Sequence, residues 1–446
     1  MPAKGDINSK EGSVEYLQTL RAVREKCDKV LELAEQDKLS SFSLDLTRMK
    51  DATEMIKSLI AKDYGSIDTR LVALETLKNI PPHGRWRHFG SDNVDQLIHD
   101  LMVRHGGELT RVTRSVLDLF VVGVLVDAGA GDNWKYDDEK SGKTFDRSEG
   151  LALAALRMFQ AGKFSSKQDD PWRVDSRALK CLDRDDIIKG FQVSKENSLL
   201  GVEGRLGLLH RLGKVIEAQS KYFPVDDHGV ARPGALVDFL VATGDLNVHI
   251  DVLWELVIKG FGGIWPESRT RVKGVALGDV WPCEALPEDD NLVPFHKLSQ
   301  WLTYSLMEPM QKILGVSFVD DETMTGLAEY RNGGFFVDLG VITLKEEARC
   351  EGLLRAQANR QEGKTIVPLF APDSQVIIEW RALTVALIDR LASALRAELS
   401  ITAKELPLAK VLEAGTWKAG RILGKQLRPQ TGGGPPIAII SDGTLF

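Results

Sequence analysis

Apolar residues recur every three to four positions along most of this chain, the spacing of one face of an α-helix. In GSVEYLQTLRAVREKCDKVLELAE (12–35), Val14, Leu17, Leu20, Val23, Val30 and Leu33 fall near one face. Ser43 or Asp45 is placed to cap a second helix running to about residue 61, and 68–78 reads as a third. Further helices are predicted over 147–160, 201–219, 231–241, 246–259 and 295–314. The longest covers 373–398, where Val376, Trp380, Leu383, Leu387, Leu391 and Leu395 keep the repeat. Residues 109–126 are apolar nearly throughout and lead into AGAGD at 128–132. Period-two alternation is rare. NWKYDDEKSGKTFD (133–146) predicts a small hairpin closed at Ser141-Gly142, and weak strands are expected within 334–344. The expected fold class is mainly α with a small β-hairpin.

No Pro/Gly/Ser-rich linker long enough to separate domains interrupts this pattern, and no repeat of 20–50 residues stands out. The expectation is a single mainly helical domain over 1–446. Within it a helical lobe runs to about 130 and a core over about 131–425. A tail over 426–446, containing LRPQTGGGPP, packs as an extended end. The segment 345–372 is charged and reads as a helix plus a loop.

Composition narrows the class. Of the 446 residues 43% are hydrophobic and 27% charged, as in a soluble globular protein. A net charge of −7 argues against a general nucleic-acid binder, which carries basic excess. Cys27, Cys181, Cys283 and Cys350 stand far apart, with neither metal-ligand spacing nor a disulfide framework. That usage suits a reducing compartment. With no signal-peptide core and no apolar run of membrane-spanning length, a cytoplasmic protein without a membrane partner is expected.

Walker loops, dinucleotide fingerprints and nucleophile elbows are all missing from the sequence. Chemistry must therefore come from less formal clusters. In GLAEYRNGGFFVDLGVI (326–342), a carboxylate, a phenol and a guanidinium follow one another at Glu329, Tyr330 and Arg331. Gly333-Gly334 comes next, a pair that allows a sharp turn or a close approach to a ligand. The cluster reads as the floor of a small-molecule site, or as a salt-bridged turn. An adjacent arginine lowers a carboxylate's pKa, so Glu329 is expected to stay ionised. Glu379–Trp380–Arg381 heads the long helix and reads first as a surface ion pair. In PFHKLSQW (294–301), His296, Lys297 and Gln300 occupy the first turns of a helix, where free N–H groups suit an anion. His249 and Asp251 are two apart, which a helix does not bring onto one metal. RWRHFG (85–90) interleaves bases and aromatics, as a base- or phosphate-binding turn does, or a docking turn. In VDAGAGDNWKY (126–136), Asp132, Asn133, Trp134 and Tyr136 either wall a pocket for a planar ligand or form a tight turn into the hairpin.

Several of these stretches carry a family resemblance. GRWRHF, HDLMVRHGGELTRVTRSVLDLFVVGVLVDAGAGDNWKY, DPWRVD, GVEGRLGLLHRLG, PFHKLSQWLTYSL and AEYRNGGFFVDLGV resemble the uracil-catabolism family of the Urc4/Urg3 type. That family is linked to a route from uracil, through its nucleotide, to urea and a three-carbon acid. A more distant similarity runs, in the same order, to the queuosine-phosphate nucleosidases of queuine salvage. It is carried by NWKYDDEKSGKTFDRSEGLALAALRMFQAGKFSS, LLGVEGRLGLLHRLGKVI, FHKLSQ, LAEYRNGG and VIIEWRALTVALIDRL. This resemblance implies a mainly helical fold akin to helix-hairpin-helix DNA glycosylases and hydrolysis of an N-glycosidic bond. It places Glu329 where those enzymes have a catalytic aspartate. The chain departs from them in that glutamate and in Asn332-Gly333-Gly334.

Taken with the pathway, the resemblance implies an N-glycoside hydrolase. Its substrate would be a 5′-phosphorylated ribosylurea-type intermediate, cleaved at C1′–N to release urea or a ureido acid. Glu329 would be the key carboxylate, with Tyr330 and Arg331 holding ribose or the leaving group. His296 and Lys297, with Gln300 beside them, would take the phosphate, with Arg381 a second candidate, and Glu379 would be a further substrate-binding residue. Asp132, Asn133 and Trp134 would line the leaving-group side. Neither metal nor cofactor is expected, and other uracil-catabolism enzymes are candidate partners. The alternatives are an amide-bond hydrolase acting on the ring-opened ureido compound and a non-enzymatic partner protein.

Overall fold

A computed structural model describes residues 13–127, 129–131, 133–242, 244–358 and 366–440. The architecture is mainly α, with short two-stranded β elements between the helices. Among the described residues no helix is long and apolar enough to cross a membrane. The chain forms two compact units that interleave along the sequence. The first is built from the described parts of Met1–His83, Ser268–Lys297 and Glu322–Ile440, the second from those of Gly84–Glu267 and Leu298–Asp321.

In the first unit the Gln375–Leu399 helix is the central post. It buries Val376, Trp380, Leu383, Leu387, Leu391 and Leu395, the residues its apolar repeat singles out. The predicted helix over 12–35 is broken: Val14–Leu17 ends and Leu20–Glu35 restarts, because the Thr19 hydroxyl caps the second piece by accepting from Ala22 N–H. Of the two caps offered for the second helix, the structure uses Asp45. Asp45 caps a short 3₁₀ turn, Leu46–Arg48, which leads into Met49–Tyr64.

The double glycine is a correction. Gly333 and Gly334 lie inside a helix, Tyr330–Asp338, and not in a turn, so the strand expected over 334–344 shrinks to Ile342–Leu344, paired antiparallel with Phe42–Leu44. The reason is packing. A Cβ on Gly333 would come within 2.6 Å of Thr384 Oγ1 and 2.7 Å of Trp380 Nε1, and one on Gly334 within 3.0 Å of Pro436 Cδ. On the opposite side, Gly420 of the Trp417–Leu427 helix leaves room for the Arg331 carbonyl, which a Cβ there would meet at 2.0 Å. The Tyr330–Asp338 helix is thus wedged between two others at close range. At the C-terminal end, Pro429–Thr431 forms a 3₁₀ turn, and Ala438–Ile439 pairs in parallel with Leu369–Phe370.

In the second unit the apolar Leu109–Leu125 helix is buried along almost its whole length. The predicted hairpin is present, with Lys135–Asp138 antiparallel to Lys143–Asp146, followed by the Arg147–Gln160 helix. Asp118, fully buried, accepts from Val174 N–H, Gly234 N–H and the Arg232 guanidinium, and so ties two segments to that helix.

Candidate active site

The Tyr330–Asp338 helix begins at Glu329, whose backbone is extended and whose side chain folds back over the first turn. Oε2 accepts from Arg331 N–H (2.9 Å) and Asn332 N–H (3.2 Å). Oε1 has no hydrogen-bond partner among the described residues, and the side chain keeps intermediate solvent exposure. One oxygen is anchored and the other is unengaged. Asn332 holds this start in place: its Nδ2 donates to the Leu327 carbonyl (3.1 Å) and its Oδ1 accepts from Thr416 (2.8 Å).

Charge acts on Glu329 from two sides. Burial pushes its carboxyl above the usual glutamate range, against the pull of Arg331, Lys297 and the two backbone N–H groups. This corrects the expectation that the neighbouring arginine lowers the pKa of Glu329: desolvation outweighs it. Arg331 is 9% exposed and stacks its guanidinium between aromatic rings, 4.9 Å from the Trp417 centroid and 5.3 Å from that of Tyr330. Trp417 also carries Arg421 at 5.7 Å and meets the His83 ring edge-on at 6.1 Å, and His83 Nδ1 is bonded to Glu413 (2.8 Å). The structure therefore brings Glu329, Tyr330, Arg331 and Lys297 together.

The other candidates are placed as follows. His296 is buried, and its Nε2 bonds the Leu17 carbonyl at 2.8 Å, so that nitrogen carries the proton. Burial holds its imidazole below the usual range, which leaves it neutral and unsuited to attracting a phosphate. The start of the Lys297–Pro309 helix already has its anion: Lys297 N–H donates to Asp279 Oδ2 (2.9 Å). Gln300, fully buried, lies in the second unit.

Glu379 and Arg381 are not a surface ion pair, since both are buried at 1% and 3% exposure and each has a different partner. Glu379 accepts from Ser40 N–H and hydroxyl and from Ser41 N–H. Arg381 forms a two-pronged pair with Asp279, 2.7 Å at each prong, and its Nε approaches the Ala328 carbonyl at 3.4 Å, one residue before Glu329. Asp132 lies outside the described residues. Asn133 is exposed, whereas Trp134 is buried and donates from its indole to the Phe191 carbonyl (2.8 Å), both in the second unit. His249 bonds Asp320 (2.9 Å) and caps its own helix, and the described residues contain no group of three or more His, Cys, Asp or Glu placed to hold a metal.

Asp279 is the site-forming residue that motif reading missed. It is fully buried, accepts from Arg381 at both oxygens, from Trp281 Nε1 at 2.7 Å and from Lys297 N–H, and so holds the Lys297 backbone and the Arg381 side chain together. Burial raises its carboxyl, but the charge and fork of Arg381 with the two further donors hold it well below the carboxylate range. Nothing in LGDVWP marks it in the sequence. Two thiols are muted: burial pushes Cys27 well above the usual range and Cys283 up to about 11, which argues against either as a nucleophile.

Comparison with known proteins agrees over the whole length. The chain is 41% identical over 440 residues to "Protein urg3" of Schizosaccharomyces pombe, spanning 97% of this chain and 99% of that protein. It is 38% identical over 456 residues to "Uracil catabolism protein 4" of Lachancea kluyveri, spanning 98% and 99%. A family model described as a protein of unknown function, DUF1688, matches residues 16–446, and the chain belongs to this family as a homologue of those two proteins.

Proposed function

We propose that the protein acts in uracil catabolism as an N-glycoside hydrolase, cleaving the C1′–N bond of a 5′-phosphorylated ribosylurea with Glu329 as the catalytic carboxylate. The observation that carries this reading is the divided carboxylate: Oε2 anchored on a helix start, Oε1 unengaged, the whole group raised in pKa. A rigidly held carboxylate with one unengaged oxygen suits a base that orients water or a charge that faces an oxocarbenium-like centre. The relative named for uracil catabolism supports the pathway, from which the substrate class is inferred. Opening the ring of a uracil nucleotide leaves a ureido group on ribose, and freeing urea from it requires a break at C1′–N.

In the step, the oxygen of water bonds to C1′ as the C1′–N pair leaves with the ureido nitrogen. Glu329 takes one proton from the water and returns it to solvent, and the leaving nitrogen takes one proton from solvent, so that water is divided between C1′ and the nitrogen. Arg331, clamped by Trp417 and Tyr330, and Lys297, fixed through Asp279, place positive charge beside the carboxylate and offer contacts to ribose oxygens or the leaving group. This geometry favours the glycosidic reading over amide hydrolysis, which calls for a nucleophile or a metal-bound water.

The test is to incubate the purified protein with ribosylurea 5-phosphate and measure urea and ribose 5-phosphate, for wild type and Glu329→Gln. Release by wild type and a loss of at least about 100-fold in the variant are expected. No release by wild type rejects the substrate. Equal rates reject the role of Glu329.

A further inference from the structure

Three stretches that the proposed reaction leaves unused converge in the second unit: RWRHFG, VDAGAGDNWKY and GVEGRLGLL. Arg85 from the first is fully buried and donates from Nη1 to Asp127 of the second at 2.7 Å. Arg205 from the third is also fully buried. Its Nε donates to the Val126 carbonyl at 2.9 Å, Nη2 to that of Gly129 at 3.3 Å, and Nη1 to that of Leu200. Burial pushes Arg205 down to about 10, with Asp127 acting in the opposite direction. Two buried guanidiniums thus share one close carboxylate. Arg87 adds like charge within range of Arg85, and Glu149 adds opposite charge.

The donors of Arg85 are not all met. Nε and Nη2 are buried and have no hydrogen-bond partner among the described residues. These two N–H groups form one edge of the guanidinium, the side-on fork that matches two oxygens of a carboxylate or phosphate. At three other arginines of this chain that edge is filled. Arg114 presents it to Asp238 (3.0 and 2.6 Å), Arg157 to Asp138 (2.7 and 3.0 Å), and Arg232 to Asp118 (2.9 and 2.5 Å). At Arg85 the chain's own carboxylate takes the outer prong and leaves the fork open. A buried polar group left this way calls for an occupant. Asp127, on the outer prong, keeps 11% side-chain exposure, while the fork itself is buried.

We propose that the Nε/Nη2 edge of Arg85 is a binding site for a phosphate group, either free phosphate or the phosphate of a sugar monoester. Arg85 supplies the two-pronged contact. Arg205 holds the Val126 and Gly129 carbonyls on either side of Asp127 in sequence, which steadies the carboxylate that positions Arg85. A phosphate fits better than a neutral ligand because, among the described residues, Arg85 and Arg205 are buried cations and Asp127 is the carboxylate paired directly with Arg85. The assignment is independent of catalysis at Glu329, since its readout is binding alone.

The experiment is a thermal-shift titration of the full-length protein with inorganic phosphate, ribose 5-phosphate, ribose and chloride at constant ionic strength. Saturable stabilisation by one or both phosphates and none by ribose or chloride is expected. Arg85→Lys, which keeps the charge but loses the fork, should weaken the apparent Kd at least about tenfold. A tighter response to ribose 5-phosphate than to phosphate identifies a sugar monoester as the ligand, and the reverse identifies the free ion. A wild-type response no larger than that to chloride overturns the assignment, as does an Arg85→Lys response equal to wild type. If Arg85→Lys does not fold, wild-type crystals soaked in tungstate replace it. A tungsten peak on the Arg85 fork is expected, and its absence there overturns the assignment.

Discussion

Asp279 and Glu329 are two buried or part-buried carboxylates of the same unit, each within reach of arginine, yet their environments drive them in opposite directions. Asp279 has four donors spread over both oxygens, two of them from one guanidinium. Glu329 has two donors, both backbone and both on Oε2, while Arg331 and Lys297 act on it only through space. Each pays desolvation, but only Asp279 is fully compensated, so its pKa falls and that of Glu329 rises. A saturated carboxylate is a structural element. One with an open oxygen and a disfavoured charge is poised to take a proton or face a cation, which is the mark of a reacting group.

Mutating the two residues should separate these roles. Glu329→Gln is expected to lower kcat by about 100- to 10,000-fold, while the amide oxygen can still cap the helix and the Tm stays near that of wild type. Asp279→Asn should do the reverse first. It leaves Arg381 buried without its counter-charge and should cost about 3–5 kcal/mol, read as a lower denaturant midpoint. An Asp279→Asn protein as stable as wild type would break the comparison.

A smaller effect probes the wedge that holds Glu329 in place. Gly333→Ala gains helix propensity of about 1 kcal/mol, but its Cβ meets Trp380 and Thr384. Overpacking of about 1–3 kcal/mol should win, giving a net loss of stability in chemical denaturation. The smallest effect is the pH dependence of stability. A glutamate whose folded pKa is raised binds its proton more tightly in the native state than in the unfolded chain. It therefore costs stability as pH rises from the unfolded value, about 4.3, through the folded one. Relative to Glu329→Gln, wild type should lose stability over that window and keep the deficit above it.

The helices were legible because their apolar repeat is what packing uses. Arg147–Gln160 and the hairpin before it coincide with their predicted spans, and the repeat over 373–398 picks out the buried face of Gln375–Leu399. Two features were not legible. Gly333-Gly334 reads locally as a turn, and only the neighbours Trp380, Thr384 and Pro436, 47 to 103 positions on, make it a helix interior. Asp279 carries no motif at all, since its partners Arg381 and Lys297 are set by tertiary packing. The resemblance to nucleosidases drew attention to Glu329, but the anchored and open oxygens appear only in three dimensions. The sign of its pKa shift was misread because sequence shows the adjacent Arg331 and hides the burial.

The most direct measurement is the pH–rate profile of urea release from ribosylurea 5-phosphate, taken for wild type and Glu329→Gln. If Glu329 acts as the ionised carboxylate, the wild-type rate should rise with pH through an apparent pKa above the ordinary glutamate value, and this limb should vanish in Glu329→Gln. A wild-type protein that releases no urea at any pH, or a variant that keeps the same limb and rate, would contradict the account.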